Sequence, residues 1–520
     1  MISLIGLAAL QSPDFGLVSL KDRNMPAITL ASSAVTDVVK PAPAETYQAY
    51  TLVGPLSFKG YRQEFRMPQQ NDTKYNNFDD VVAKYEPKMK NVIVDFNERK
   101  DKDGQFLKWV DLPKNQLKNN SDGISHLDEI YSQAQALKLR KNPDGTERPL
   151  VVLGIGGSKH TAEFLLNMNG EGNKGKVMFY SDIDPVSYNN FVAETGKNLK
   201  ELNFLVASKS GTTFETADGF KRFENALIEE YKKDGLSANE AKAKAQEHFA
   251  ICTDAKATDK NLRGKIGSKN GENNNYIKEL YIHDDVGGRF SMFDDAGLFT
   301  IAYAGVPKDT SVRILKAAAQ TSEKMTNPDN IKDNNAAKSA IYNVFSRENG
   351  YKPIQQQYFG RIFEGGGENW AKQLYLESLK DFDFMIGKAP DSMHYGTEGQ
   401  YSPQNRKSYN TVMTIMDPAI SSNYMTYTKA IAQTYNETTP LKMEILEVEG
   451  NKIKPEAIGE YIQTKHFETV YMGMLRREAS TSLLKNHEAK LDKLPEVIQP
   501  SVETYKNKFK QGEYKLNIGG

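Results

Sequence analysis

Apolar and polar positions fall into blocks along the middle of the chain, and the blocks come in two lengths. Short apolar runs stand at 149–153 (Pro-Leu-Val-Val-Leu), 177–180 (Val-Met-Phe-Tyr), 204–207 (Phe-Leu-Val-Ala) and 249–252 (Phe-Ala-Ile-Cys). Each is too short for a helix and apolar throughout, the pattern of a parallel strand buried on both faces. Stretches with helical character lie between them, the short one at 162–166 and the longer one at 217–233. This alternation continues to about residue 310 and predicts an α/β fold, a parallel sheet with helices on both faces. A second, more helical half runs from about 317 to 510. It has predicted strands at 383–387 and 441–448, a glycine break at 364–367, and long helices over 454–474 and 478–491. Upstream, an amphipathic helix is expected over 78–96, and residues 104–113 form a punctuated connection containing Trp109. The polar stretch 267–276 reads as a surface loop. The two α/β halves are similar enough in size to be distant copies.

Two of the predicted strands end in unusual turns. The run at 204–207 stops at Ser208-Lys209-Ser210-Gly211-Thr212-Thr213. Hydroxyls and backbone N–H groups at such a turn face the space beyond the strand's carboxyl end, where the positive end of the next helix favours an anion. By itself the turn is equally well an ordinary Ser/Thr helix cap. The run at 149–153 ends in Gly154-Ile155-Gly156-Gly157-Ser158, where bare glycines would let a ligand approach the backbone. Two such turns point to one shared phosphate grip. Neither has the Gly-Lys-Ser/Thr ending of a nucleotide-binding loop or the Gly-x-Gly-x-x-Gly spacing, which disfavours a nucleotide role.

Composition narrows the classes. With 520 residues the chain can bury a large core, and 67 basic against 67 acidic residues give no charge excess that would attract a polyanion. The single Cys252 excludes an intrachain disulfide and a cysteine zinc site, and so suggests a reducing compartment. No apolar run reaches the roughly 18 residues of a spanning helix. Residues 1–10 resemble a short apolar signal core but lack the basic residues that precede one. The expectation is a small-molecule enzyme of the cytoplasm, with neither nucleic acid nor membrane as partner.

Further segments carry a specific resemblance: Trp109-Val110-Asp111-Leu112-Pro113, residues 154–158 and 208–213, Asp285-Val286-Gly287-Gly288-Arg289-Phe290-Ser291, Lys372-Gln373-Leu374-Tyr375-Leu376-Glu377-Ser378, Gly399-Gln400-Tyr401 and the Gln499-Pro500 to Lys506 segment. In this order and spacing the chain resembles the glucose-6-phosphate isomerase family, closer to its shorter bacterial branch, from about 109 to 509. The resemblance implies two doubly wound parallel-sheet sugar-isomerase domains of three layers, at 149–316 and 317–498. These would be preceded by a loosely ordered extension (1–60) and a helical segment (61–148), and followed by a C-terminal segment (499–520). It implies a homodimer and interconversion of glucose 6-phosphate and fructose 6-phosphate through an enediolate, with no cofactor or metal.

The chemistry needs a base between C1 and C2, a cation for the developing oxyanion, and a group that opens the sugar ring. Glu377 is the expected base. At about 100° per residue it shares a helix face with Trp370 and Leu374, where partial desolvation suits proton shuttling near neutrality. Gln373, one turn earlier, could hold a sugar hydroxyl, as could Gln400. Arg289, after two glycines, is the expected cation, and an ion pair with Asp284 or Asp285 is its structural alternative. The resemblance makes Lys506 the C-terminal catalytic lysine and His394 the ring-opening residue. His394 lies two residues further from Gly399 than in the bacterial pattern, and an insertion in that loop would return it to the site. Gly157, Ser158, Ser208, Lys209, Ser210, Thr212 and Thr213 are the expected phosphate contacts. A catalytically silent sugar-phosphate sensor, or an isomerase also accepting mannose 6-phosphate, would use the same grip.

Overall fold

The computed structural model describes residues 60–67, 77–172, 174–209, 211, 213–256, 262, 275–388, 410–436, 439–450, 452–479 and 493–498. Most of the loop expected at 267–276, nearly all of the helix expected at 478–491, and Ser210, Thr212, His394, Gln400 and Lys506 lie outside the described residues.

Four strands of the first sheet come from the predicted apolar runs, and the fifth, Ile277–Ile282, is not among them. Strands β2 (Leu150–Leu153), β3 (Val177–Tyr180), β4 (Asn203–Ala207), β5 (Phe249–Asp254) and β6 (Ile277–Ile282) run parallel in the order β3-β2-β4-β5-β6. Alternate side chains leave opposite faces. Leu150, Val152, Leu205, Ala207, Ala250 and Cys252 enter the large central core. Val151, Leu153, Phe204, Val206, Phe249 and Ile251 join a second core with Phe223 and Leu227. Those last two belong to the helix Phe214–Lys233, which buries Thr216, Gly219, Phe223 and Leu227 at helical spacing. Burial on both faces explains why β2, residues 204–207 of β4 and residues 249–252 of β5 read as unbroken apolar runs.

The second sheet repeats the topology with different chemistry. Strands β7 (Pro353–Tyr358), β8 (Asp383–Lys388), β9 (Asn410–Met416) and β10 (Leu441–Leu446) lie parallel in the order β8-β7-β9-β10. This matches β3-β2-β4-β5 of the first sheet. Helices cover both of its faces: Ile354, Tyr358, Val412 and Leu446 face the central core, while Met413, Ile415, Met443 and Ile445 pack with Ile431 and Tyr435 of the helix Ser422–Asn436. The fold is α/β with two doubly wound sheets, as expected. The fifth strand is new. β1 (Tyr61–Arg66) pairs antiparallel with β10, so the segment expected to be helical from residue 61 opens with a strand of the second sheet.

The helix α1 (Phe78–Lys100) follows β1 and turns Val81, Tyr85, Met89, Val92 and Phe96 inward. The long helix Pro455–Ala479 lies at the centre, buried almost throughout, including Glu468, Lys465 and His466. Among the described residues no helix is long and apolar enough to cross a membrane.

Candidate active site

The chain order around each sheet creates one place where a ligand can enter. From β2 the chain moves outward to β3, then crosses back to β4 on the other side of β2. Loops leaving β2 and β4 therefore diverge, and the crevice between them at the strands' carboxyl ends is where doubly wound sheets bind ligands. The two turns singled out in the sequence flank this crevice, because β2 and β4 are hydrogen-bonded neighbours with Leu153 opposite Val206. A methyl group on Gly154 would stand 3.2 Å from Ser158 Cβ and 3.3 Å from Ala207 O, so the turns are in contact.

Within this wall, Ser208 is buried, and its Oγ accepts a 3.1 Å hydrogen bond from Gly211 N. Thr213 is the residue before the helix Phe214–Lys233, and its side chain makes no capping hydrogen bond. Ser158 is half-buried in the first turn of the helix α2 (Gly157–Met168). The Lys209 ammonium donates to His283 O at 3.1 Å and lies 3.7 Å from Asp284.

Gly157 has another reason to be glycine than the expected ligand approach. A Cβ there would fall 1.9 Å from Gly288 O, so backbone meets backbone. This contact presses the segment carrying Arg289 against the start of α2. Asp285 supports it from the other side, accepting from Gly104 N at 2.5 Å, while its carbonyl accepts from Lys108 N at 3.3 Å. Trp109 stacks on Phe290 at 5.2 Å, which accounts for Trp109 being fully buried.

Arg289 is 1% exposed and fully engaged. Its Nε donates to Ser378 Oγ at 2.7 Å, one terminal nitrogen donates to Glu496 O at 2.5 Å, and the other lies 3.4 Å from Glu377 Oε2. Burial lowers its pKa to about 10, against the opposing pull of Glu377 and Glu496, so it remains a cation at neutral pH. The ion pair expected as an alternative with Asp284 or Asp285 is replaced by one with Glu377, from the other half of the chain.

Glu377 is carried by the helix α3 (Gly366–Ser378), whose Trp370, Leu374 and Ser378 are buried. Its side chain is 30% exposed, at the edge of the apolar face as the periodicity predicts. Gly366 sets the helix in place, since a Cβ there would stand 2.5 Å from Phe164 N of α2. Gln373 Nε2 donates to Glu377 Oε1 at 3.3 Å, and the same atom would be 2.9 Å from a methyl group on Gly156. Gln373 thus bridges the turn after β2 and the carboxylate of the second half. Its Oε1 is buried with no protein partner among the described residues, an acceptor that a ligand hydroxyl could use.

Three contributors escaped the sequence reading. Ser378 stands within the resembling segment and orients Arg289. Glu496 acts through its carbonyl, which no side-chain pattern reveals, while its carboxylate pairs with Arg477. His466 is packed edge-on or tilted against Trp109, Phe290 and Trp370, and burial holds its pKa down at about 3. It is a neutral aromatic floor beneath Arg289, whose carbonyl accepts from Trp370 Nε1 at 3.0 Å. The chemistry this arrangement supports is proton transfer by a carboxylate beside a fixed cation, next to an anion-binding crevice.

Residues 124–349 match the family model of phosphoglucose isomerase. A glucose-6-phosphate isomerase of Acetivibrio thermocellus is 29% identical over 330 residues, 60% of this chain and 65% of that protein. One from Clostridium novyi is 30% identical over 322 residues, 59% of this chain and 63% of the relative. The matched chain therefore spans less than two thirds of these curated relatives. In fold, a glucose-6-phosphate isomerase from Chlamydia trachomatis superposes with a TM-score of 0.60 at 15% identity, over 87% of this chain and 88% of that one. A hypothetical protein from Thermus thermophilus gives 0.64 at 17%, over 87% and 100%. The matched stretch includes both phosphate turns and Arg289, so this part of the chain is similar to the phosphoglucose isomerase family, and the wider likeness to the solved structures is one of fold.

Proposed function

We propose that this chain interconverts glucose 6-phosphate and fructose 6-phosphate by ring opening and an enediolate proton transfer. The observation that carries the reading is the Glu377–Arg289 pair, 3.4 Å apart, tied through Gln373 to the crevice between β2 and β4. In this reading the phosphate sits at the turns after β2 and β4, held by Ser158, Ser208, Ser210, Lys209, Thr212 and Thr213 with the N-terminal ends of two helices. Anchoring the far end of the substrate lets binding energy orient C1 and C2 over the carboxylate. Glu377 carries the proton between those carbons. Arg289 fixes the carboxylate and offsets the negative charge that develops on the enediolate. Gln373 and Gln400 hold sugar hydroxyls, and His394 and Lys506 open the ring. The two sheets are the cores of domains at 149–316 and 317–498, and the enzyme works in the cytoplasm as a homodimer in glycolysis and gluconeogenesis.

The test is a coupled assay of the purified full chain on fructose 6-phosphate, with binding measured in parallel. Turnover to glucose 6-phosphate is expected. Binding without turnover would replace the reading with a silent sugar-phosphate binder.

A further inference from the structure

We propose that His126, His283 and Asp295 form a binding site for a divalent cation of the zinc type, separate from the residues assigned to isomerisation. His126 opens the helix His126–Lys138, His283 follows β6, and Asp295 opens the helix Asp295–Ala304. One donor atom from each lies within 4.8 Å of the other two. Imidazole nitrogens with a carboxylate oxygen are a common zinc donor set, leaving a fourth position for water. A tetrahedral zinc ion holds its donors about 3.3 Å apart, so small side-chain rotations would close the widest pair.

Each donor is already oriented by a second group, as metal-binding residues usually are. The Nδ1 of His126 is held by Glu129 Oε2 at 2.9 Å, which turns Nε2 onto both oxygens of Asp295 at 2.9 and 3.0 Å. The Nδ1 of His283 is held by Asp294 Oδ1 at 2.5 Å. Asp295 is fully buried, and its two oxygens also accept from Tyr281 N at 2.7 Å and Gln116 Nε2 at 3.1 Å. Carboxylate–imidazole pairs that converge on a third, fixed carboxylate reproduce the shell around a histidine-bound metal. Three carboxylates against two imidazoles also give the cluster an excess of negative charge that a divalent ion would balance. Lys209 meets the His283 carbonyl rather than its ring. Both histidines are partly open, 19% and 32% exposed, which gives an ion a way in.

The experiment is calorimetric titration of the full chain, stripped with chelator and desalted, with zinc chloride, and with cobalt(II) as a spectroscopic probe. The expected result is one equivalent of zinc per chain, with visible cobalt bands of four- or five-coordinate intensity. His283→Ala should weaken zinc binding at least tenfold and remove the bands while leaving the far-ultraviolet circular dichroism unchanged. His126→Gln should do the same, but it also breaks contacts to Asp295, so His283→Ala decides the matter. No saturable zinc binding by the wild type, or equal binding by a folded His283→Ala protein, would reduce the cluster to an ion pair and overturn the proposal.

Discussion

The two sheets share one strand order and differ in what they bury. In the first, β2, β4 and most of β5 are apolar on both faces. In the second, Gln355, Gln356, Gln357, Thr411, Thr414, Lys442 and Glu444 are all buried in strands β7, β9 and β10. Lys442 and Lys465 face Glu444 and Glu468 at 2.7–3.1 Å, with all four almost completely excluded from solvent. Thr414 Oγ1 donates to Glu444 Oε2 at 2.7 Å, and Gln356 Nε2 donates to Thr414 at 2.8 Å. Two charges of each sign, bonded at most of their polar atoms, let a polar interior survive burial. The crevices differ as well. The first sheet leaves its crevice to the hydroxyl-rich turns. In the second, Arg62 of the added strand β1 pairs with Asp417, just after β9, at 2.9 Å. Duplicated topology therefore carries different chemistry: in the proposed reading one sheet supplies the grip, and the other half supplies the helix that brings Glu377 to it.

This division of labour can be broken at either end. Glu377→Gln should reduce kcat by about 10²–10⁴-fold, in line with losing a general base, while sugar-phosphate binding persists. Kinetics with parallel binding measurements check this, and equal losses in binding and turnover would place Glu377 in the grip instead. Lys442→Met leaves two buried carboxylates facing one lysine and should cost about 3–5 kcal/mol in urea unfolding. Adding Glu468→Gln removes one charge of each sign and should recover part of that loss. Ser378→Ala removes an acceptor from a buried cation, an interaction worth about 1.5–3 kcal/mol, and should lower kcat more than it raises KM.

A pH series separates two buried glutamates by the sign of their response. Burial pushes Glu460 up to about 8, only partly opposed by the Tyr61 N–H that it accepts. Its native pKa lies above the ordinary 4.5, so its stabilising contribution is complete below about pH 4.5 and disappears as the pH rises through 8. Glu460→Gln keeps an acceptor for β1 and should flatten that decline in urea titrations between pH 5 and 9. Burial also pushes Glu444 up, but Lys442 and Lys465 outweigh it and hold the group at about 2. Its contribution is present above its ordinary pKa and is lost as pH falls through 2, the opposite sign.

The same contrast decides what could be read from the sequence. Apolar runs announced β2, β3, β4 and β5 because burial on two faces leaves no polar position. β7 reads Pro-Ile-Gln-Gln-Gln-Tyr and β9 reads Asn-Thr-Val-Met-Thr-Ile-Met, and neither has a strand-like period, since buried Gln356, Gln357 and Thr414 find partners on other strands and helices. Glu377 was legible because its helix carries a clear apolar stripe. The partner of Arg289 was not, because Glu377, Ser378 and Glu496 lie 88, 89 and 207 residues away. Gly157 has a further reason to be glycine that the sequence could not show, since only the fold places Gly288 against it. His466 and the Lys442–Glu468 network gave no signal at all, for a buried ionisable residue on a central helix looks like a solvated one until its surroundings are known.

The central claim is that the carboxylate from the second half moves a proton on a sugar phosphate gripped by the first. Nuclear magnetic resonance of fructose 6-phosphate in deuterated water, with wild-type and Glu377→Gln protein, tests it most directly. The wild type should yield glucose 6-phosphate with deuterium entering at C2. The variant should give neither isomer nor exchange, with the phosphorus resonance still perturbed by binding. Exchange by the variant at the wild-type rate would contradict the claim.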